Sequence, residues 1–341
     1  MTSRTSQMES NVPVSSVNMP PCLYCGESTY DKLLSGIEDR LGVAPGLWGY
    51  EKCRNCGSAL VSPFPAAEDL AAYYPATYTF APELAEGQPF RRLIARLEHA
   101  LFYGQQNRAQ VSLVLRHIRN SSEQIKLLDI GCGRGLRLTE FARRGLEVRG
   151  VDFQAEAVEY VNHQLKIPAV QAPLEHLDEH FAPSTFDAVT AFYVLEHVTD
   201  VGAIARSVLR ILKPGGWFIG AVPLIDSWQA GIFKEQWSQA TEAPRHVSLP
   251  SIHGIESLCR KVGYEEVKLV PDSVWACVAV LGLSVFMRAT TTHFYGKGGL
   301  KSILVRGMAA GAAALSFPFC FTENFVAHRP ALGIVFARKP R

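Results

Sequence analysis

Three things are missing from this 341-residue chain, and each absence removes a class of function. There is no long basic run and the formal net charge is only +2, so a nucleic-acid or other polyanion partner is not advertised. No uncharged stretch reaches the roughly 20 residues of a helical membrane span. Residues 273–287 and 307–322 are uncharged and rich in apolar residues but short of that length, and Pro318 interrupts the second. An apolar export segment is also lacking in the first 20 residues, which are rich in Ser, Thr, Asn and Pro and read as a disordered tail. The expected compartment is therefore the cytoplasm, where the eight cysteines would be reduced thiols or metal ligands rather than disulfides.

Against these absences stands one informative run, Leu127-Leu128-Asp129-Ile130-Gly131-Cys132-Gly133-Arg134-Gly135. It reads as an apolar strand, then glycines at alternate positions, then a helix carrying Leu138, Phe141 and Ala142 inward and capped by Gly145. Glycines there let the chain turn sharply and let a ligand approach the backbone. A second strand follows, from Leu146 to Val151, with Asp152 at its tip, where an acid can take both hydroxyls of a ribose. A nicotinamide dinucleotide would want G-x-G-x-x-G, but the sixth position here is Leu136. Asp129 also suits a cationic, phosphate-free ligand better than a pyrophosphate. Both features favour S-adenosylmethionine.

Four marks then occur in order: LLDIGCGRG, VRGVD, FDAVTAFYVLEHV and LKPGGWFIGAVP. Over about residues 127–222 the chain resembles the nucleotide-binding half of class I S-adenosylmethionine-dependent methyltransferases. The resemblance implies a doubly wound, Rossmann-like α/β sheet. It also implies a donor site of Asp129, Gly131, Cys132, Gly133, Gly135, Asp152 and Phe153, with Phe192 at the end of the fourth strand. The loop meeting the adenine would be Ala172-Pro173-Leu174-Glu175, where Leu174 gives apolar contact and the acid often found at the second position is missing.

Glu196 and His197 resemble the EH pair of small-molecule methyltransferases, including quinone O-methyltransferases, although capping of the next helix would explain them equally. Some of those enzymes carry a further Glu, three residues earlier, that helps hold a divalent ion; here that position is Tyr193. An N/D-P-P-Y/F motif of amino-methylating DNA enzymes is absent, which argues against base methylation. The loop between Val222 and the next helix contains Trp228, Phe233, Trp237, Pro244, Arg245 and His246. In the resembling families such a loop covers the acceptor. His246 is accordingly the leading candidate for general base or acceptor-orienting residue, the alternative being that it organises the loop beside Arg245; Arg245 itself is a candidate to bind the acceptor.

Cys22-Leu23-Tyr24-Cys25 and Cys53-Arg54-Asn55-Cys56 are two CxxC knuckles, each followed by Gly. Together they complete the four-sulfur set preferred by structural zinc, with no open coordination position for catalysis. A redox role is the minor alternative, since neither pair sits on a βαβ pattern.

The expected organisation is a tail over 1–20, a zinc ribbon over 21–62, a helical connector or lid over 63–120 and a methyltransferase domain over 121–341. In the connector, Tyr73, Tyr74 and Tyr78 form an aromatic loop; Tyr74 and Tyr78 are candidates to face the acceptor. Leu93, Ile94, Leu97, Leu101, Val111, Leu115 and Ile118 predict two helices. The sheet's last strand, from Ala331, should follow the sixth by a short hairpin, yet about 60 residues intervene. That insertion predicts helices over an apolar pocket, or a peripheral membrane contact through 273–322. The acceptor expected is a small or lipid-linked metabolite such as a sugar hydroxyl or a quinone-like phenol. RNA or protein methylation with the ribbon as reader, and a cofactor-binding scaffold without catalysis, are the competing readings.

Overall fold

The computed structural model describes residues 19–74, 104–118, 124–289, 311 and 315–341. Tyr78, the first connector helix with Leu93 to Leu101, and part of 307–322 lie outside the described residues.

A seven-stranded sheet has its strands in the order β10-β11-β8-β7-β4-β5-β6. These are β4 Lys126–Ile130, β5 Glu147–Asp152, β6 Ala169–Gln171, β7 Phe186–Phe192, β8 Leu212–Pro223, β10 Val267–Pro271 and β11 Leu332–Arg338. The first five in chain order run parallel, whereas β11 lies antiparallel between β8 and β10. Strand order reverses between β4 and β7, which opens a crevice at their carboxyl ends.

Alternation along each strand divides the core. Leu127, Ala188, Ile219 and Ile334 face one side, under helices α1 (Gly104–Ile118), α2 (Leu136–Arg143) and α3 (Ala155–His163). Leu128, Val189, Phe218 and Val335 face the other, under α4 (Val201–Ile211) and α6 (Ile252–Val262). With both faces covered, β7 is apolar almost throughout, as expected for an interior parallel strand. Helix α4 illustrates the local logic. Asp200 caps it by accepting from the Ala203 N–H at 2.8 Å, and Val201, Ile204, Val208 and Ile211 form its buried stripe.

The cysteine knuckles belong to a second sheet, with β1 (Tyr30–Ile37), β2 (Trp48–Cys53) and β3 (Ala59–Ser62) in antiparallel order. Its fourth strand is β9, Ser248–Leu249, contributed by the far half of the chain. The boundary expected at residue 62 is thus crossed by backbone pairing: the ribbon's sheet is completed by the acceptor loop.

Helix α5 (Trp228–Phe233) lies in that loop, while α7 (Val274–Ala289) and α8 (Phe317–Phe325) occupy the insertion before β11. The Gln229 side-chain amide donates to the Cys277 carbonyl at 3.2 Å and to Glu323 at 2.8 Å, tying the three together. Among the described residues no helix is long and apolar enough to cross a membrane.

Candidate active site

The glycine loop between β4 and α2 is built for close approach. Gly131, Gly133 and Gly135 have φ of +65, +50 and +66. A Cβ on Gly131 would lie 2.4 Å from Val194 Cγ2, and one on Gly135 would lie 2.6 Å from Leu165 Cδ1. At the tip of β5 the Asp152 carboxylate accepts from the Gly133 N–H at 2.8 Å and the Gln154 N–H at 3.0 Å. The first bond joins the acid to the glycine loop. Burial raises the Asp152 pKa. Asp129 is 3% exposed, as Asp152 is, and accepts from the Thr190 hydroxyl at 2.6 Å, tying β4 to β7. Burial pushes its pKa up to about 6.

Of the other expected donor residues, Cys132 packs inward against Gly150, Leu174 and Phe192 are buried, and Phe153 stands half exposed beside Asp152. Arg137, on α2, lies over the Phe192 ring at 4.6 Å and donates to the Gln110 side chain at 2.9 Å. Sequence reading passed over Arg137, although its position two residues beyond Gly135 on the glycine-loop helix marks it as a neighbour of the crevice.

Beyond β7 the chain turns through Tyr193 at φ +59, uncommon for a bulky residue. The turn is held by the Tyr193 N–H donating to the Ala221 carbonyl at 2.8 Å. The Tyr193 hydroxyl donates to Asp272, which also receives the Gln110 amide at 2.7 Å. Gln106 donates to the same hydroxyl at 3.0 Å. Tyr193 thereby joins α1 to the residue that follows β10, forming a wall of the crevice.

The next residues meet the acceptor loop. His197 and His246, 49 positions apart, stack edge to face with ring centroids 4.7 Å apart. His246 Nδ1 donates to the Gln239 carbonyl at 2.8 Å, leaving Nε2 as the atom able to take a proton. His197 Nδ1 lies 3.0 Å from both the Arg245 carbonyl and the Tyr74 hydroxyl. Glu196 is 1% exposed, and its Oε2 has no hydrogen-bond partner. One ligand atom from each of Glu196, His197 and His246 lies within 4.8 Å of the others, so this trio could also hold an ion. Burial pushes the Glu196 carboxyl up to about 8 and the His197 imidazole down to about 4. His246 is driven well below the ordinary histidine range, first by burial, then by His197 and Arg40. Both rings are thus neutral near pH 7.

Tyr74 spans the two halves of the crevice: its ring centroid is 6.1 Å from Phe153 and 6.1 Å from His197. Arg245 occupies a different position from that of an acceptor ligand. Its side chain is 0% exposed and donates to Asp39 at 2.5 Å, Glu242 at 3.1 Å and the Tyr73 carbonyl at 3.2 Å. Arg40 pairs with Glu242 as well. This geometry makes Arg245 an organiser of the loop and not the acceptor-binding residue expected from the sequence. The pairs form an ion network between the β1–β2 loop and the acceptor loop.

The ribbon reaches His246 directly. Tyr50 on β2 donates to the His246 carbonyl at 2.9 Å, and the Val61 N–H donates to the Val247 carbonyl at 2.9 Å. Ser251 Oγ donates to the Cys56 carbonyl. No local signal in the sequence marks Tyr50, because its partner lies 196 residues away. Cys22 and Cys56 sulfurs are 3.5 Å apart, as are those of Cys25 and Cys53, and all four lie within 4.8 Å of one another. A tetrahedral ion with sulfurs at about 2.3 Å separates them by about 3.8 Å, whereas a disulfide needs about 2 Å. The four cysteines are free thiols, and their geometry fits one shared ion.

A methyltransferase-domain family matches residues 90–269, more than half of the chain. The ubiquinone biosynthesis O-methyltransferase of Paracidovorax citrulli is 36% identical over 98 residues, which are 27% of this chain and 41% of that protein. Its counterpart in Alkalilimnicola ehrlichii is 39% identical over 98 residues, 28% of this chain and 40% of that protein. The chain therefore spans about two fifths of the length of these curated relatives. Phosphoethanolamine N-methyltransferase 2 of Haemonchus contortus, solved with S-adenosyl-L-methionine, superposes with a TM-score of 0.51 at 18% identity. That match covers 87% of this chain and 70% of the other and shows a shared fold. With its strand order, glycine loop and matched span together, the chain belongs to the methyltransferase-domain family and is an enzyme.

Proposed function

We propose that this enzyme transfers a methyl group from S-adenosylmethionine to an oxygen of a small, ring-bearing acceptor of quinone-like phenol character. The observation that carries the reading is that Tyr74 lies 6.1 Å both from Phe153, next to the ribose-type acid Asp152, and from His197, whose ring meets that of the buried His246. The relatives named for ubiquinone O-methylation support the choice of acceptor over a sugar hydroxyl.

In this reading Gly131, Gly133 and Gly135 let the donor lie on the backbone, Asp152 takes its ribose hydroxyls, and Phe153 and Leu174 flank the adenine. Arg137 and Phe192 line the methionine end. The sulfonium already activates the methyl, so in-line displacement depends chiefly on alignment. His246 Nε2 accepts the phenol proton as oxygen attacks the methyl carbon, the C–S bond breaks, and the electron pair stays on sulfur. Glu196, protonated near neutral pH, stands beside the pair without repelling the phenolate. Tyr74 closes the crevice from the connector.

The four cysteines hold a structural zinc ion that supplies no chemistry to transfer. It fixes the ribbon whose Tyr50 and β3 position the His246 segment. Incubation with methyl-labelled donor and a panel of catechols, monophenols and sugars tests the reading. Label in an aryl ether supports it, and label only in sugar, amine or macromolecule fractions overturns the acceptor class.

A further inference from the structure

Helix α8 is polar on the wrong side for water. Its inward face carries Cys320, Glu323 and Asn324, all 0% exposed. Glu323 accepts from the Gln229 backbone and side chain at 2.9 and 2.8 Å, and the Asn324 amide donates to the Asp272 carbonyl at 3.3 Å. Its outward face carries Phe321 at 48% and Phe325 at 49% exposure, with Val326 beyond the helix end at 67%. Phe317, Phe321 and Phe325 recur every four residues and so share one stripe. Phe321 and Phe325 lie 5.1 Å apart between centroids, and Trp275 of α7, 47% exposed, meets Phe317 at 5.2 Å.

The energetics of this arrangement favour an apolar medium outside. A helix in water normally hides its phenyl rings and solvates its carboxylate. Here the carboxylate and amide are anchored internally by three hydrogen bonds, to Gln229 and Asp272, and the rings are left outward. Contiguous aromatic exposure of this kind marks an interaction surface rather than scattered surface hydrophobes.

Charge selects the occupant. Arg288 stands exposed in the last turn of α7, and between Asp272 and Glu323 the sequence holds not one Asp or Glu. Aromatic rings combined with a cation and no anion are the chemistry of an anionic lipid surface: the rings enter the headgroup–acyl boundary and the guanidinium meets phosphates. A protein partner with an acidic rim or a second copy of this chain would find the rings, but a second copy would also bring the same cation against itself.

We infer that the α7–α8 face, centred on Trp275, Phe321 and Phe325, docks this enzyme peripherally on an anionic bilayer. The step from docking to delivery of a lipid-borne acceptor rests on the proposed function; the docking itself does not.

Co-sedimentation of the full chain with phosphatidylglycerol/phosphatidylcholine vesicles, against pure phosphatidylcholine, tests it. Partition at least tenfold stronger on anionic vesicles, weakened by salt and accompanied by a blue shift of tryptophan emission, is expected. The Phe321→Ser/Phe325→Ser double variant should lose at least tenfold in partition while its donor affinity, measured by calorimetry, stays unchanged. That second readout reports a folded crevice and separates failure of docking from failure of the methyltransfer reading. Should the variant misfold, Trp275→Ser alone gives the same comparison. Wild-type protein remaining in the supernatant overturns the inference. So does equal binding to neutral vesicles, or a variant that alters sedimentation velocity in the absence of lipid but not partition.

Discussion

Replacing Glu196 by Gln isolates what it costs to bury a carboxyl group with one oxygen unbonded. In the unfolded chain the group titrates at about 4.5; in the fold, burial raises it to about 8. Between those values the folded protein keeps a proton that the unfolded chain has released. Stability from this group therefore falls as pH rises, by about 1.4 kcal/mol per pH unit. His197 and His246 act in the opposite sense. Their folded values are depressed below 6.5, so their contribution is complete above that pH and is lost as pH falls below it. The window from pH 6.5 to 8 thus belongs to Glu196 among the three, and over it the slope integrates to about 2 kcal/mol. Other buried acids, such as Asp129 and Asp272, are common to both proteins and cancel in the difference. Urea denaturation of wild type and Glu196→Gln at both pH values measures the quantity. The wild type should lose about 2 kcal/mol more than the variant on going from pH 6.5 to 8. Parallel losses in the two proteins would refute the reasoning, because the carboxyl would then be ionised in the fold.

His246→Gln should lower kcat by about 10² to 10⁴ with donor affinity preserved, because a base is removed and the donor side is untouched. Since both imidazoles titrate below 6.5, wild-type kcat should stay level from pH 7 down to pH 6.5 and decline only below it. Gly131→Ala places a methyl 2.4 Å from Val194 at φ +65. It should cost about 1–2 kcal/mol in stability from the backbone alone and weaken donor binding in calorimetry. Chelation of the four-cysteine site, or Cys53→Ser, should speed amide exchange over residues 246–251 and lower kcat while leaving donor affinity intact. Unchanged exchange there would disconnect the ribbon from the acceptor loop.

The sequence disclosed what is local. The glycine loop, the acid at the tip of the second strand and the paired cysteines are each short-range patterns whose chemistry follows from spacing. The strand order follows from βαβ repetition. Contacts between distant residues were invisible. Arg245 was expected to bind the acceptor; besides the nearby Glu242, its partner Asp39 is 206 residues away. Likewise β9 is a two-residue strand with no signal of its own, and it exists because β3 offers it an edge. Tyr193 shows a third kind of gap. Its positive φ is imposed by the Ala221 carbonyl, which captures its N–H, and no residue preference announces it. The inverted polarity of α8 was hidden for the same reason, since Glu323 is buried by Gln229, which lies 94 residues earlier.

Titration calorimetry of the folded, zinc-loaded protein with S-adenosylmethionine and its demethylated product addresses the central assignment most directly. One site per chain is predicted for each ligand, weakened about 10- to 100-fold in Asp152→Ala by loss of hydrogen bonds to a charged group. No heat from either ligand, or equal affinity in the variant, would contradict a donor held between the glycine loop and Asp152.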